Sequence, residues 1–217
     1  MALAYSCPVC RAQFDQWRNF RGKPRLCPKC YSFERTRAIW LYFQKKEILI
    51  KCRRFLHIGP EKGLQDRLIQ LLNRRYVASD IHMTNVSIQA DLTTMCFKSG
   101  IFDMIYCSNV LEHIGNDLKA MSELYRMLVS GGLAIVQVPI KGEATYENPE
   151  IVTEKDRELH FGQRDHVRYY GRDIKIRLSR SGFSVEEVWM PAALGLSDEE
   201  QNKFRVNANE LLHFCRK

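Results

Sequence analysis

Two cysteine pairs and one short run ending in Glu-His are the residues of this chain best suited to chemistry. The pairs are Cys7-Pro8-Val9-Cys10 and Cys27-Pro28-Lys29-Cys30, sixteen residues apart. A two-residue gap lets both thiolates of a pair point at one ion, and two pairs complete a tetrahedron at about 2.3 Å per Zn–S bond. Four protein ligands leave no open position, so the expected Zn2+ is structural, not catalytic. Disulfides or free thiols are the other possibility, but the paired spacing in a chain expected to be cytoplasmic favours the metal. Phe14, Trp17, Phe20 and Gly22 suit a short hairpin between the pairs, in a module too small to fold without its ion. Cys52, Cys96, Cys107 and Cys215 form no spacing pattern and are expected to pack.

The second feature is Asn109-Val110-Leu111-Glu112-His113, reached directly from the apolar stretch Phe102–Cys107 and Ser108. A histidine at a strand exit can take a proton from a substrate hydroxyl, or it can merely cap a helix or bond a carbonyl. Glu112 and His113 could also offer a divalent ion two ligands, too few to define a site. Two further histidines lie in His160-Phe161-Gly162-Gln163-Arg164-Asp165-His166-Val167-Arg168-Tyr169-Tyr170. The mix of His, Arg and Tyr there suits a polar or anionic substrate, although Arg164 and Arg168 could simply pair with Asp165 or Asp173.

The elements that must hold these residues alternate strand and helix, the pattern of a mostly parallel sheet. Strands are expected over 54–58, 75–81, 87–91, 102–107 and 133–140, with late strands over 183–190 and 210–215. Helices are expected over 37–49, 64–72, 117–128 and 172–181, with Gly131-Gly132 closing the third. The connection between the late strands is too irregular for a clear crossover helix, so an antiparallel edge is expected. Residues 1–36 read as a zinc ribbon, 37–53 as a connecting helix and 54–217 as the catalytic domain. No Gly/Ser-rich linker intervenes, so the parts should be fixed to each other.

The strand exit at 102–114, with Leu56-His57-Ile58-Gly59-Pro60-Glu61-Lys62-Gly63 upstream, closely resembles the class I S-adenosylmethionine-dependent methyltransferases of the type 11 kind. A zinc-ribbon-bearing group of bacterial methyltransferases is particularly similar, since it carries a Cys-Pro-x-Cys pair ahead of such a domain. The resemblance implies an α/β, Rossmann-like, seven-stranded sheet of order 3-2-1-4-5-7-6. It also implies an S-adenosylmethionine pocket in which Gly59, Glu61 and Gly63 form the glycine turn. Asp80 would take the ribose hydroxyls, Asp91 would lie near the adenine amino group, and Cys107, Ser108 and Asn109 would line the space around the sulfonium. His113 and His166 become the expected bases, and His160, Arg164, Arg168 and Tyr169 the expected substrate contacts.

Two departures from the family pattern matter. Glu61 stands where the usual Gly-x-Gly-x-Gly turn has its middle glycine, so it would crowd the ligand or contact its ammonium group. Leu64 breaks the third position of the dinucleotide fingerprint, which argues against a nicotinamide. Strand four ends in Ser108-Asn109-Val110, not the Asp/Asn-Pro-Pro-Tyr tetrad of many base-amino methyltransferases. The expected acceptor is therefore a hydroxyl or carboxyl on a small molecule or glycan, with RNA second and a non-catalytic binding protein third.

Charge and hydropathy narrow the partners. The net charge is +8, but residues 1–53 hold 12 Lys and Arg against 3 Asp and Glu, and the remainder is nearly balanced. Arg18, Arg21, Lys23, Arg25, Lys29, Arg35 and Arg37, interleaved with Trp17, Phe20, Tyr31 and Phe33, could grip a phosphate backbone and stack on bases, or form a solvated face or a docking surface. No run of apolar residues is long enough to cross a membrane. Met1-Ala2-Leu3-Ala4-Tyr5-Ser6-Cys7 lacks a basic and apolar leader, so a cytoplasmic setting is expected.

Overall fold

A computed structural model describes residues 4–206 and 210–217; residues 1–3 of the expected ribbon and 207–209 of the expected catalytic domain lie outside the described residues. The seven-stranded sheet is built from β1 (Phe55–Ile58), β2 (Tyr76–Asp80), β3 (Ile88–Gln89), β4 (Phe102–Ser108), β5 (Leu128–Gln137), β6 (Ser184–Met190) and β7 (Glu210–Arg216). Its order is 3-2-1-4-5-7-6, as the resemblance implied. β1 pairs parallel with β4, and β4 with β5. Nearly every residue of β4 is buried, on both faces of the sheet, which explains its near-continuous apolar sequence. β7 runs antiparallel to β5, with His213 opposite Val136, which is the expected antiparallel edge.

The helices are α1 (Glu34–Lys46), α2 (Lys62–Leu72), α3 (Asp117–Met127), α4 (Glu154–Phe161), α5 (Ile174–Arg180) and α6 (Asp198–Phe204). Asn116 caps α3 by accepting the Lys119 amide at 3.1 Å. Ala120, Met121, Leu124 and Met127 then recur at helical spacing, and they pack with Leu56, Ile105, Ala134, Ile174 and Leu178 in one apolar core. α4 and α6 lie in stretches that read as irregular, because both are short and mainly polar. Their start signals are local: Thr153 accepts the Asp156 amide, and Ser197 and Glu200 form a capping box.

Gly131-Gly132 does not close α3, which ends at Met127; β5 starts at Leu128 and contains both glycines. The β4–β5 register shifts between Phe102 and Met104, which face Leu128 and Leu133. Gly131 takes a φ of +75° in that bulge. Its amide donates to the Lys217 carbonyl, and the Lys217 amide returns a bond to Gly132. The glycines allow a bulged strand to stay paired, which a helix-stop reading cannot anticipate.

The chain divides into two compact units, each assembled from separate stretches of sequence. One comprises residues 1–53, 60–76 and 188–212; the other comprises 54–59, 77–187 and 213–217. In the first, the ribbon shares its unit with α1 and α2. A Cβ on Gly63 would meet the Cys30 carbonyl at 2.6 Å, so glycine lets the second cysteine turn lie against the start of α2. Arg67 of α2 donates to the Val9 carbonyl of the first turn at 2.6 Å.

Arg37 closes this unit. It is fully buried and donates to the carbonyls of Ser32 (2.6 Å), Phe204 (2.7 Å), Arg205 (2.8 Å) and Arg25 (3.2 Å), with its guanidinium 4.1 Å from the Trp17 ring centre. Burial lowers its pKa to about 10, so it stays charged at neutral pH. Arg37→Met should destabilise the protein by about 3–5 kcal/mol, because several carbonyls lose a charged donor at once. Urea unfolding measures this, and a loss below about 1 kcal/mol would show that water replaces the guanidinium.

Candidate functional site: a cysteine cluster and an open-sheet pocket

The cysteine cluster is built from two turns of one design. The Cys7 amide donates to Ala12 and the Arg11 amide returns to Cys7; the Cys27 amide donates to Ser32 and the Tyr31 amide returns to Cys27. Arg11 and Tyr31, each four residues after the first cysteine of its pair, have φ of 63° and 60°. These tight turns aim all four sulfurs at one point, with potential ligand atoms within 4.8 Å of one another. Cys7–Cys30 and Cys10–Cys27 stand 3.6 Å apart, Sγ to Sγ. A disulfide would require about 2.05 Å, whereas the edge of a tetrahedron of 2.3 Å bonds is about 3.8 Å. The thiols fit a zinc ribbon. The buried Ser32 hydroxyl, 3.3 Å from the sulfurs of Cys7 and Cys30, supports the same centre from outside.

The basic residues of this region are largely committed. Arg25 pairs with Glu34 at 3.0 Å, Arg35 with Glu61, Arg18 stacks on Tyr31, and Arg37 and Trp17 are buried. Arg37 and Trp17 therefore leave the set expected to hold a polyanion; their sequence positions carry no sign of burial.

The second unit carries a cavity of about 670 Å³ at the carboxyl ends of β1, β2 and β4, lined by Gly59, Asp80, Asp91, Asn109, His113 and Asp165 among others. Gly59 follows β1 with φ +61°, and its amide donates to Ser79 at 2.9 Å. A Cβ there would lie 2.6 Å from Val110 Cγ2, so glycine lets the Val110 side chain lie against this turn. Asp80 Oδ1 accepts the amides of His82 (2.7 Å) and Met83 (2.8 Å), and Oδ2 lies toward Gly59. Asp91 caps the turn Leu92–Thr94 by accepting the Thr93 amide at 2.7 Å. Asn109 turns the chain out of β4 with φ 54° and ties to Gln137.

Four residues expected at the cofactor do not line this cavity. Ser108 is buried, its hydroxyl 3.2 Å from Gln137 Oε1. Cys107 is buried in the core, where burial pushes its thiol pKa up. Glu61 belongs to the first unit, where its carboxylate accepts the Thr36 hydroxyl and pairs with Arg35; Gly63, in the same unit, makes room for Cys30. The departure from the usual glycine turn thus serves the packing of the ribbon, which a motif comparison cannot detect.

In the cavity lining, His113 Nδ1 lies 3.1 Å from Asp165 Oδ2, and the His113 ring meets the buried His166 ring edge to face at 4.7 Å. The fold brings these residues together from segments more than fifty positions apart. Arg168, expected to meet substrate, is instead buried and donates to the carbonyls of Leu111 (3.1 Å), Ile114 and Gly115 (2.8 Å), with Glu147 on its Nε. It positions the loop that carries His113. Beneath it, burial pushes the Asp117 carboxyl up, but bonds from Arg177 and Tyr170 and the Arg168 charge outweigh that and hold it low. Arg164 is exposed and pairs with Glu158, His160 contacts the Tyr146 hydroxyl at 3.0 Å, and Tyr169 lies under Lys141.

Residues 56–136, which contain the glycine turn and the β4 exit, match the family model described as a methyltransferase domain. Over that stretch the chain is similar to a methyltransferase domain, and its sheet order is that of the class I S-adenosylmethionine-dependent methyltransferase fold. An S-adenosylmethionine-dependent methyltransferase of Mesorhizobium loti shares its fold at a TM-score of 0.56 and 16% identity, over 83% of this chain and 98% of that one. The YcgJ protein of Bacillus subtilis gives 0.52 and 17%, over 82% and 97%. A protein of Methanocaldococcus jannaschii is 45% identical over 51 residues, 24% of this chain, and that match spans about a fifth (22%) of the relative's length. The cavity is large enough for a nucleoside-sized ligand, and the Asp80 and Asp91 carboxylates line it. Among the described residues, no helix is long and apolar enough to cross a membrane.

Proposed function

We propose that the protein transfers a methyl group from S-adenosylmethionine to an oxygen of a small molecule or glycan. The observation that carries this reading is that one cavity is lined both by Gly59 and Asp80 and by His113 and Asp165. When bound, S-adenosylmethionine supplies a methyl group already activated by the positive sulfonium. Asp80 would hold the ribose hydroxyls and Asp91 the adenine edge, and Asn109 and Val110 line the same cavity. An acceptor hydroxyl must lose its proton as it reacts, and the histidine pair is where that loss is assisted. Asp165 orients the His113 ring, and the Arg168 clamp fixes the loop that carries it. Four thiols gathered around a structural zinc suit a reducing, cytoplasmic compartment.

His113→Asn should lower the turnover number by about 10²–10⁴-fold while S-adenosylhomocysteine affinity stays within about twofold of wild type. Single-turnover kinetics with an acceptor found by labelled-methyl screening, alongside calorimetry, separate the two effects. An unchanged rate would remove the histidine pair from the chemistry. Methylation confined to nitrogen acceptors would overturn the oxygen-directed reading.

A further inference from the structure

We propose that Glu112, His113 and His166 form a divalent-cation site beside the pocket. One potential ligand atom from each lies within 4.8 Å of the others. Around one ion such atoms stand about 3–3.5 Å apart, a difference that side-chain rotation covers. Glu112 and His166 are only 1% and 2% exposed, so a carboxylate and an imidazole are held out of water beside a second imidazole. The geometry has the supporting shell that metal-binding histidines use. Asp165 engages His113 Nδ1, which leaves Nε2 to face an ion. The segments are locked together, since the Val167 amide donates to the Glu112 carbonyl at 2.9 Å and Arg168 clamps Leu111 and Gly115. Two imidazoles and one carboxylate suit a borderline divalent ion and leave coordination positions open. Of the three ligands, His113 lines the cavity and so links the cluster to the space proposed for the acceptor.

The inference rests on the oxygen-directed reading and says how the histidines assist: as ligands of the ion, not as bare bases. A hydroxyl oxygen entering an open position becomes more acidic. Its O–H bond breaks with the proton passing to water at the exposed Asp165 edge, and the oxygen lone pair forms the new C–O bond. The methyl–sulfur bond of the sulfonium breaks, its electron pair stays on sulfur, and the cation is unchanged at the end.

The test is a titration of Mn2+ into full-length protein holding one zinc per chain, without methyl donor or acceptor, followed by electron paramagnetic resonance and calorimetry. Mn2+ competes poorly for a thiolate site, so the ribbon stays zinc-bound. The expected result is one Mn2+ per chain, with affinity reduced by about tenfold or more in Glu112→Gln and His166→Asn, and about tenfold in Asp165→Asn. Asp165 is 69% exposed, so that variant keeps the test valid if the buried substitutions unfold the protein, as thermal melts would show. No Mn2+ bound by folded wild type would overturn the site, as would binding that every folded variant leaves intact. Because binding is read without methyl transfer, an acceptor screen that yields no methylated hydroxyl tests the oxygen-directed reading separately.

Discussion

Substituting Cys27 by serine should cost the protein the ordered structure of its first compact unit. Structural zinc contributes about 10–16 kcal/mol in small four-ligand modules, as large as the whole stability of an ordinary domain at about 5–15 kcal/mol. The ribbon's described strands are two to four residues long, and its buried apolar side chains are few, Val9, Trp17 and Leu26 among them. Little besides the ion can hold its two cysteine turns together. The loss should spread, because those turns pack on α2 through Gly63 and Arg67 and Arg37 binds the Ser32 carbonyl. Protease cleavage within residues 4–53, slow in wild type, should become rapid in Cys27→Ser and in protein stripped with a strong chelator. Zinc should restore protection to the stripped wild type alone. A stripped protein with wild-type protection and an unchanged melting temperature would show that the cluster has no structural role.

The second large effect is expected at Asp80. Asp80→Ala should weaken S-adenosylhomocysteine binding by about 100-fold, since each hydrogen bond from a ribose hydroxyl to a carboxylate contributes about 1.5 kcal/mol and about 1.4 kcal/mol is tenfold. The substitution also removes the acceptor of the His82 and Met83 amides, so part of the loss reflects a loosened turn. Asp80→Asn separates the contributions. Its amide oxygen can still accept from the turn while the charge is gone, and it should fall between wild type and alanine. Calorimetry with a melting control reads both, and wild-type affinity in a folded Asp80→Ala would displace the cofactor from this pocket.

Most strand positions were legible in the sequence, whereas the sheet order followed from the family resemblance. Alternating apolar strands and helical stripes, with glycine or asparagine where φ turns positive, are local consequences of burial and backbone sterics. The cysteine cluster was legible for the same reason, since a two-residue gap dictates where both sulfurs point. The bulge at Gly131-Gly132 was not, because a glycine pair after a helix carries the same local signal whether the chain stops or continues as a strand. Arg37, Arg168 and Glu61 read as surface, substrate and cofactor residues. Their actual partners are carbonyls 5 to 168 positions away for Arg37, and Arg35 and Thr36 for Glu61.

What the sequence by itself determined is therefore the class of chemistry: four thiols at metal spacing, a glycine turn, and acidic residues at successive strand ends. Only the tertiary structure decided which charged groups face the pocket and which brace it. It alone brought His166 beside Glu112 and His113, because that meeting depends on a chain return of more than fifty residues. Local spacing encodes turns and ligand pairs; convergence of distant side chains depends on packing, which no short window of residues contains.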